Sequence, residues 1–371
     1  KNNSNLHMEI EHFVNKSVGE WSSMRSGHSL AFKQFEEVIS DIKINLLSKQ
    51  DRKVQNFLTL SGYSEGEVIS PFEIEWSGTS NWEDTQAIKT ITSLINKVTD
   101  ANYETIKQET SKKNKIPELI SKMGAAPGIK VDTGAKILAG SPDEKITEGL
   151  DGLREKLKEY YRLGAKFTKW RCVYNISKNF PSKLSIHANA HALARYSALV
   201  QECNMVPIVE PEVLMDGDHS AQDCYQKTSE VIKKCFEELI LNKVDLKGVI
   251  LKPNMILSGN KSKDKISNEE VAELTLKCLK NSVPVEVPGI AFLSGGQTEI
   301  EATENLNLIS KNNKSNFIIS YSYGRALQQS ALKFWSKNIK DIEGTQKVFN
   351  HRAKMNTLAA QGKWSKEIER K

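Results

Sequence analysis

The 371-residue sequence contains no run of about 18 apolar residues, so nothing in it reads as a membrane-spanning helix. Cysteine is scarce: Cys172, Cys203, Cys224, Cys235 and Cys278 are the five, and no two form a C-x-x-C pair. An odd count without close spacing argues against a disulfide framework or a structural zinc site, and for a reducing, cytoplasmic setting. The early glycine-rich turn that marks a dinucleotide site is missing. His187 and His191 have the i, i+4 spacing of a helical zinc pair, but no Glu follows His187 as in H-E-x-x-H. Asp216-Gly217-Asp218-His219 lacks a third carboxylate at loop spacing and reads first as a turn. No metal is therefore expected. Residues 1–8 are polar and lack the apolar core of a secretory signal. The chain opens at Lys1 and not at a methionine, which fits a piece missing upstream.

What is present is ordinary for a globular protein: 39% hydrophobic and 26% charged residues. The net charge is +6, with the lysines spread along the chain and not clustered with aromatics. That distribution speaks against nucleic acid and leaves a solvated lysine surface or a phosphorylated metabolite.

The texture changes along the chain. Residues 1–84 hold segments with period-two alternation, Ile42-Lys43-Ile44-Asn45-Leu46 and Phe72-Glu73-Ile74-Glu75-Trp76, which predict antiparallel strands with one wet face. Residues 85–102 are helix-permissive and read as a linker or a degraded element. From about residue 113, short apolar strands alternate with amphipathic helices. Strands are expected at Gly128–Val131, Phe167–Val173, Val206–Glu210, Gly248–Lys252, Gly289–Ser294 and Phe317–Ser322. The first clear helix is expected over about Lys145–Leu163, on Leu150, Leu153, Leu157 and Tyr161, with Gly164 as its stop. Further helices are expected over His187–Gln201, Cys224–Leu241, Asn268–Leu279, Glu299–Leu308 and from Ala326 onward. Such alternation implies a parallel sheet, and pattern alone leaves a doubly wound sheet and a (β/α)8 barrel both open.

The polar residues separate them. Nearly every strand ends in charged or hydroxyl groups: Lys130 and Asp132, Lys169 and Arg171, Glu210 and Glu212, Lys252, Ser294, then Gly324 and Arg325. Chemistry at every strand C-terminus belongs to a barrel, whereas a doubly wound sheet gathers it at one crevice. Lys252 ends the apolar run Val249-Ile250-Leu251, where desolvation would lower its pKa and free the amine as a nucleophile. A lysine snorkelling to the surface is the alternative. Lys169 and Arg171 share one strand face, as do Glu210 and Glu212, so two cations and two carboxylates can serve catalysis or simple ion pairing. Ser294-Gly295-Gly296-Gln297 and Tyr323-Gly324-Arg325 each join a strand to a helix, where backbone N–H groups and a guanidinium can take phosphate.

On these residues the chain becomes familiar. "GIKVDTGAK", "KWRCV", "ANAHALARY", "VPIVEPEVLMDGDH", "LKPNM", "VPGIAFLSGGQ", "SYGRALQQSALKFW" and "QGKW" occur in order, near-continuously from about Glu104 to Trp364. The sequence resembles class I fructose-bisphosphate aldolases of the bacterial or plant type. The resemblance implies a (β/α)8 barrel, usually tetrameric, that needs no metal or cofactor and works on a phosphorylated sugar in glycolysis and gluconeogenesis. By motif, Lys252 matches the Schiff-base lysine and Glu210 the general acid/base, with Glu212 beside it. Lys169 matches the lysine that assists carbinolamine chemistry, with Arg171 nearby. Ser294, Gly295, Gly324 and Arg325 match the ketose-end phosphate site. Thr133 stands where animal members carry lysine.

Two parts of the family pattern are missing. The first strand, with its "LAADES" motif and catalytic aspartate, is not found, and of the second only Glu104–Gln108 is retained. The expected fold is thus an incomplete (β/α)8 TIM barrel over residues 103–371, preceded by a small antiparallel β segment over 1–84. That segment, "FVNKSVGEWSSMRSGHSLAFKQFEEVISDI" and "FEIEWSGTSNW", resembles half of the S-type phycobiliprotein chromophore lyases. This second resemblance implies a lipocalin-like sheet and a bilin ligand; Trp21, Arg25, His28 and Trp76 match positions that recur in those lyases, and for Trp76 ordinary strand packing is the preferred reading. The alternative function it offers is a bilin-binding or lyase fragment fused to an impaired aldolase remnant.

Overall fold

The computed structural model describes residues 115–370, Lys107, a few positions between 48 and 55, and the backbone of four strands within 19–95. The chain separates into two compact units, residues 1–102 and 103–371.

In the first unit, β1 (Gly19–His28), β2 (Phe35–Leu46), β3 (Phe72–Trp82) and β4 (Thr85–Ile95) form an antiparallel sheet in that order. The two alternating segments pair as strands, with Ile42 opposite Trp76 and Ile44 opposite Ile74. Residues 85–95, read from sequence as helix-permissive, instead form β4; threonines and isoleucines make up more than half of this strand, and such residues favour extended backbone. The side chains of Trp21, Arg25, His28 and Trp76 lie outside the described residues.

Among the described residues the second unit holds six parallel strands: β5 (Gly128–Lys130), β8 (Phe167–Tyr174), β9 (Val206–Val213), β10 (Ile250–Leu251), β11 (Gly289–Phe292) and β12 (Ile318–Tyr321). They stand side by side in chain order, β5-β8-β9-β10-β11-β12, all parallel. Helices connect them: α1 (Ile116–Lys122) precedes β5, α2 (Leu153–Arg162) leads to β8, and α3 (Lys183–Glu202), α4 (Ala221–Leu241), α5 (Asn268–Ser282) and α6 (Glu299–Asn312) join the rest. After β12 come α7 (Arg325–Lys337), α8 (Ile342–Ala360) and α9 (Lys366–Glu369). Strand order that follows chain order, with a helix in each later crossover, is the α/β pattern of a TIM-barrel-like fold. The central strands are covered on both faces: every residue of β9 from Pro207 to Val213 is buried.

Local sequence sets the helix starts. Ser220 with Asp223, Ser267 with Glu270 and Thr298 with Glu301 each close a full capping box at the head of α4, α5 and α6. A cap of this kind is worth about 1 kcal/mol.

The helix expected from Lys145 begins at Leu153. Residues 134–148 form a hairpin instead, β6 (Gly134–Leu138) with β7 (Ser141–Glu148). Tertiary hydrogen bonds hold it: Thr147 Oγ1 donates to the Arg171 carbonyl at 2.7 Å, and the Thr147 N–H donates to Asn189 Oδ1 at 3.2 Å. The buried face of α2 is Leu153, Leu157 and Tyr160, while Tyr161, expected inside, is 41% exposed. Spacing by seven from Leu153 falls on Tyr160, one position before the residue expected. Gly164, at φ +104°, follows the helix end as expected.

Candidate active site

Four adjacent strands deliver their polar residues to one edge. The parallel register sets Lys130 beside Lys169, Arg171 beside Glu210 and Val173 beside Glu212. Lys252 follows β10 directly, and its N–H donates to the Val209 carbonyl at 2.7 Å, so it continues the ladder one residue past the strand.

Their side chains form a line of alternating charge. Lys252 Nζ lies 3.1 Å from Glu210 Oε1, and Lys169 Nζ lies 3.0 Å from Glu210 Oε2. One carboxylate thus faces two ammonium groups, one on each oxygen. Lys169 Nζ is also 3.8 Å from Asp132 Oδ2, and Asp132 Oδ1 is 2.7 Å from Lys130 Nζ. Arg171 Nε donates to Glu212 Oε2 at 2.6 Å. Glu210, Glu212, Asp132 and Lys252 are all buried.

Burial is the largest influence on Lys252 and pushes its pKa below the ordinary lysine range; Glu210 opposes the shift and the charge on Lys169 adds to it. For Arg171, burial opposes the charge, but Glu212 outweighs it and the pKa is raised. Of the two lysines on Glu210, Lys252 is the more buried, with its side chain 11% exposed against 19% for Lys169. Lys252 is therefore equipped to offer a free amine.

The backbone of Lys252 is fixed from behind. Asn254 Oδ1 accepts from the Val213 N–H at 3.0 Å, while its Nδ2 donates to Thr228 Oγ1 and to the Met255 carbonyl, each at 3.1 Å. This amide ties the turn after Lys252 to the end of the strand that carries Glu210.

A second group lies on the next two strands. Ser294 is buried after β11, and the Leu293 N–H donates to the carbonyl of Pro253, the neighbour of Lys252. Gly295 and Gly296 both have positive φ, +56° and +88°. A Cβ on Gly296 would stand 2.8 Å from Met215 Sδ and 3.7 Å from Arg325 Nη2, so the Arg325 guanidinium overlies this turn. Gln297 braces the turn, donating to the Ser294 carbonyl at 2.8 Å and accepting from Asn305 at 2.7 Å. Gly324 caps α7 and Arg325 is its first residue. The two glycine-containing loops therefore meet.

The structure brings together Lys169, Arg171, Glu210, Glu212 and Lys252 in one cluster, and Ser294, Gly295, Gly324 and Arg325 in another on the neighbouring strands. Asp132 and Asn254 are the residues that sequence reasoning passed over. Asp132 was visible only as a strand-end carboxylate two positions after Lys130, and Asn254 only as part of "LKPNM". His187 and His191 sit on α3 and share the buried Glu238 of α4, at 3.3 and 3.1 Å, together with Lys234 at 3.1 Å. Among the described residues no group of three His, Cys, Asp or Glu is arranged to hold a metal ion. All five cysteines are buried free thiols. Among the described residues no helix is long and apolar enough to cross a membrane.

A parallel, barrel-like sheet with a desolvated lysine sharing a carboxylate at its strand C-termini defines an α/β, TIM-barrel-like fold with charged groups gathered at one end of its strands. The comparisons give the particular family. Residues 86–371 match the family model described as "Glycolytic: Fructose-bisphosphate aldolase class-I", and the chain belongs to that family. A probable fructose-bisphosphate aldolase class 1 of Xanthomonas campestris pv. campestris is 51% identical over 262 residues, covering 70% of this chain and 78% of the relative. The cytosolic fructose-bisphosphate aldolase 4 of Arabidopsis thaliana is 45% identical over 260 residues, covering 70% of this chain and 66% of its own. Among solved structures, the fructose-bisphosphate aldolase of Plasmodium falciparum, crystallised with TRAP and a small-molecule inhibitor, superposes with a TM-score of 0.69 at 42% identity, over 71% of this chain and 76% of that one. Residues 9–117 match a second family model, described as a CpeS-like protein.

Proposed function

We propose that the protein is a cytoplasmic fructose-bisphosphate aldolase that cleaves fructose 1,6-bisphosphate reversibly through a Schiff base on Lys252. The observation that carries this reading is the sharing of Glu210 between Lys252 and Lys169, within 262 residues that are 51% identical to a probable class 1 aldolase.

The Lys252 amine adds to the C2 carbonyl, and the carbinolamine loses water to give a protonated imine. Lys169, charged and across the same carboxylate, supplies the proton that turns the leaving hydroxyl into water. The imine nitrogen then accepts the electron pair of the C3–C4 bond as Glu210 takes the C4 hydroxyl proton. Glyceraldehyde 3-phosphate departs. The enamine is protonated at C3, and water hydrolyses the imine to release dihydroxyacetone phosphate and regenerate the amine. Glu212 holds Arg171 beside this centre, and Ser294, Gly295, Gly324 and Arg325 take the ketose-end phosphate.

The barrel is read as incomplete. Six consecutive parallel strands span residues 128–321, and an eight-stranded closure requires two more. The missing "LAADES" motif and the remnant at Glu104–Gln108 assign the gap to the family's first two strands. The N-terminal unit is read as a lipocalin-type segment, supported by its antiparallel order and the CpeS-like match. The side chains that would meet a bilin lie outside the described residues. Assembly as a homo-oligomer, a tetramer as in the family, completes the reading.

A coupled assay that follows dihydroxyacetone phosphate release tests the activity. Cleavage of fructose 1,6-bisphosphate that persists in excess chelator supports it. Cleavage that chelator abolishes, or none above a Lys252→Met control, overturns it.

A further inference from the structure

Asp132 has no role in the mechanism above, yet it is the most tightly held carboxylate of the site. Its side chain is 2% exposed. The Arg171 N–H donates to its Oδ2 and the Gly134 N–H to its Oδ1, each at 3.2 Å. Lys130 Nζ completes the set at 2.7 Å from Oδ1. Two of these partners are main-chain groups, one on β8 and one at the start of β6, so the carboxylate cannot swing away without losing both.

What this anchored group faces is Lys169. The ammonium sits between Glu210 Oε2 at 3.0 Å and Asp132 Oδ2 at 3.8 Å. Without Asp132, Lys169 and Lys252 would compete for Glu210 alone, two cations on one carboxylate. With it, the row runs Lys130, Asp132, Lys169, Glu210, Lys252, each charge next to its opposite. Like charges on neighbouring sites favour loss of a proton from one of them, and the anchored carboxylate decides which.

We propose that Asp132 is a positioning residue: it clamps the Lys169 ammonium against Glu210, so that Lys169 stays the proton donor and Lys252 the free amine. This deepens the Schiff-base reading and rests on it. Asp132 touches no reacting atom and acts through Lys169. The charged groups around Lys169 are Lys130 and Asp132 beside β5, Arg171 on its own strand, Glu210 and Glu212 on β9, and Lys252 after β10.

The sign of the effect follows from charge alone. Removing an anion next to Lys169 disfavours its ammonium form, so Lys169 loses its proton at lower pH. If Lys169 donates the proton that expels water, the alkaline limb of imine formation must move down in pH.

The test is the rate of borohydride trapping on the intact protein with dihydroxyacetone phosphate, measured from neutral to alkaline pH. The isosteric Asp132→Asn is expected to slow trapping at the alkaline end about tenfold relative to neutral pH, as a one-unit shift of the limb requires. In a Lys169→Met background the same substitution is expected to change nothing further. Should Asp132→Asn weaken the fold by stranding Lys130, Lys130→Met/Asp132→Asn removes both members of that pair and carries the same expectation. An alkaline limb unmoved in either variant, or effects of Asp132→Asn and Lys169→Met that simply multiply, overturns the proposal while leaving the Schiff base intact. Absence of trapping in the unaltered protein overturns the Schiff-base reading, and this proposal with it.

Discussion

Replacing Glu210 with glutamine separates the two things that this carboxylate does. Gln keeps the shape and one acceptor but removes the charge between Lys252, at 3.1 Å, and Lys169, at 3.0 Å. At 3.1 Å two unit charges interact by about 5 kcal/mol with an effective dielectric of ~20, and about 1 kcal/mol in water. One pKa unit corresponds to about 1.4 kcal/mol, so losing this attraction lowers the Lys252 pKa by roughly one to four units. Glu210 is a raising influence on a lysine already depressed by burial, so its removal carries the shift further in the same direction. The amine is then free at lower pH, and the acid limb of borohydride trapping moves down by at least about one unit. Carbon–carbon cleavage loses its base and falls about 10²–10⁴-fold. The assay pairs trapping against pH with the coupled cleavage assay on the same sample. An acid limb that moves up, or cleavage that falls less than about tenfold, refutes the reasoning.

Arg325→Ala removes a charge-assisted donor worth about 1.5–3 kcal/mol, so the KM for fructose 1,6-bisphosphate is expected to rise about 10–100-fold, checked by steady-state kinetics. A rise of similar size in the inhibition constant for inorganic phosphate would place the loss at the phosphate. Glu369 latches the C-terminal helix: Arg352 donates to it through both Nη groups, at 2.7 and 2.8 Å, and Trp364 Nε1 donates at 2.7 Å. Burial works against this carboxylate, but Arg352 and Trp364 outweigh it and its pKa is lowered. A depressed folded-state pKa contributes stability above the unfolded value, about 4.3 for glutamate, and that stability is lost as pH falls through the folded value. Chemical unfolding should therefore show Glu369→Gln less stable than the unaltered chain by about 1.5–3 kcal/mol at pH 7, with the gap closing below about pH 4.

The parallel strands were legible because most are short, largely apolar runs flanked by polar or turn residues, as Val249-Ile250-Leu251 is by Lys247-Gly248 and Lys252-Pro253. Period-two alternation likewise placed Lys169 with Arg171 and Glu210 with Glu212 on shared faces. What sequence could not carry was pairing across distance. The β6–β7 hairpin is held by Arg171 and Asn189, which stand 24 and 42 residues from Thr147. Asp132 and Asn254 draw their fixed positions from the N–H groups of Arg171 and Val213, 39 and 41 residues away. A main-chain donor has no signature in the residue that supplies it, so both looked like ordinary strand-end polar groups. The strand β4 was missed for a related reason: Thr85–Ile95 has no strict alternation, and its partner β3 decides its conformation.

The central claim is that Lys252, and not Lys169, is the nucleophile. Borohydride reduction in the presence of dihydroxyacetone phosphate, followed by mass spectrometry of the digested chain, addresses it directly. The account predicts a reduced dihydroxyacetone phosphate adduct on the peptide containing Lys252 and none on the peptide containing Lys169. An adduct on Lys169, or none at all, would contradict it.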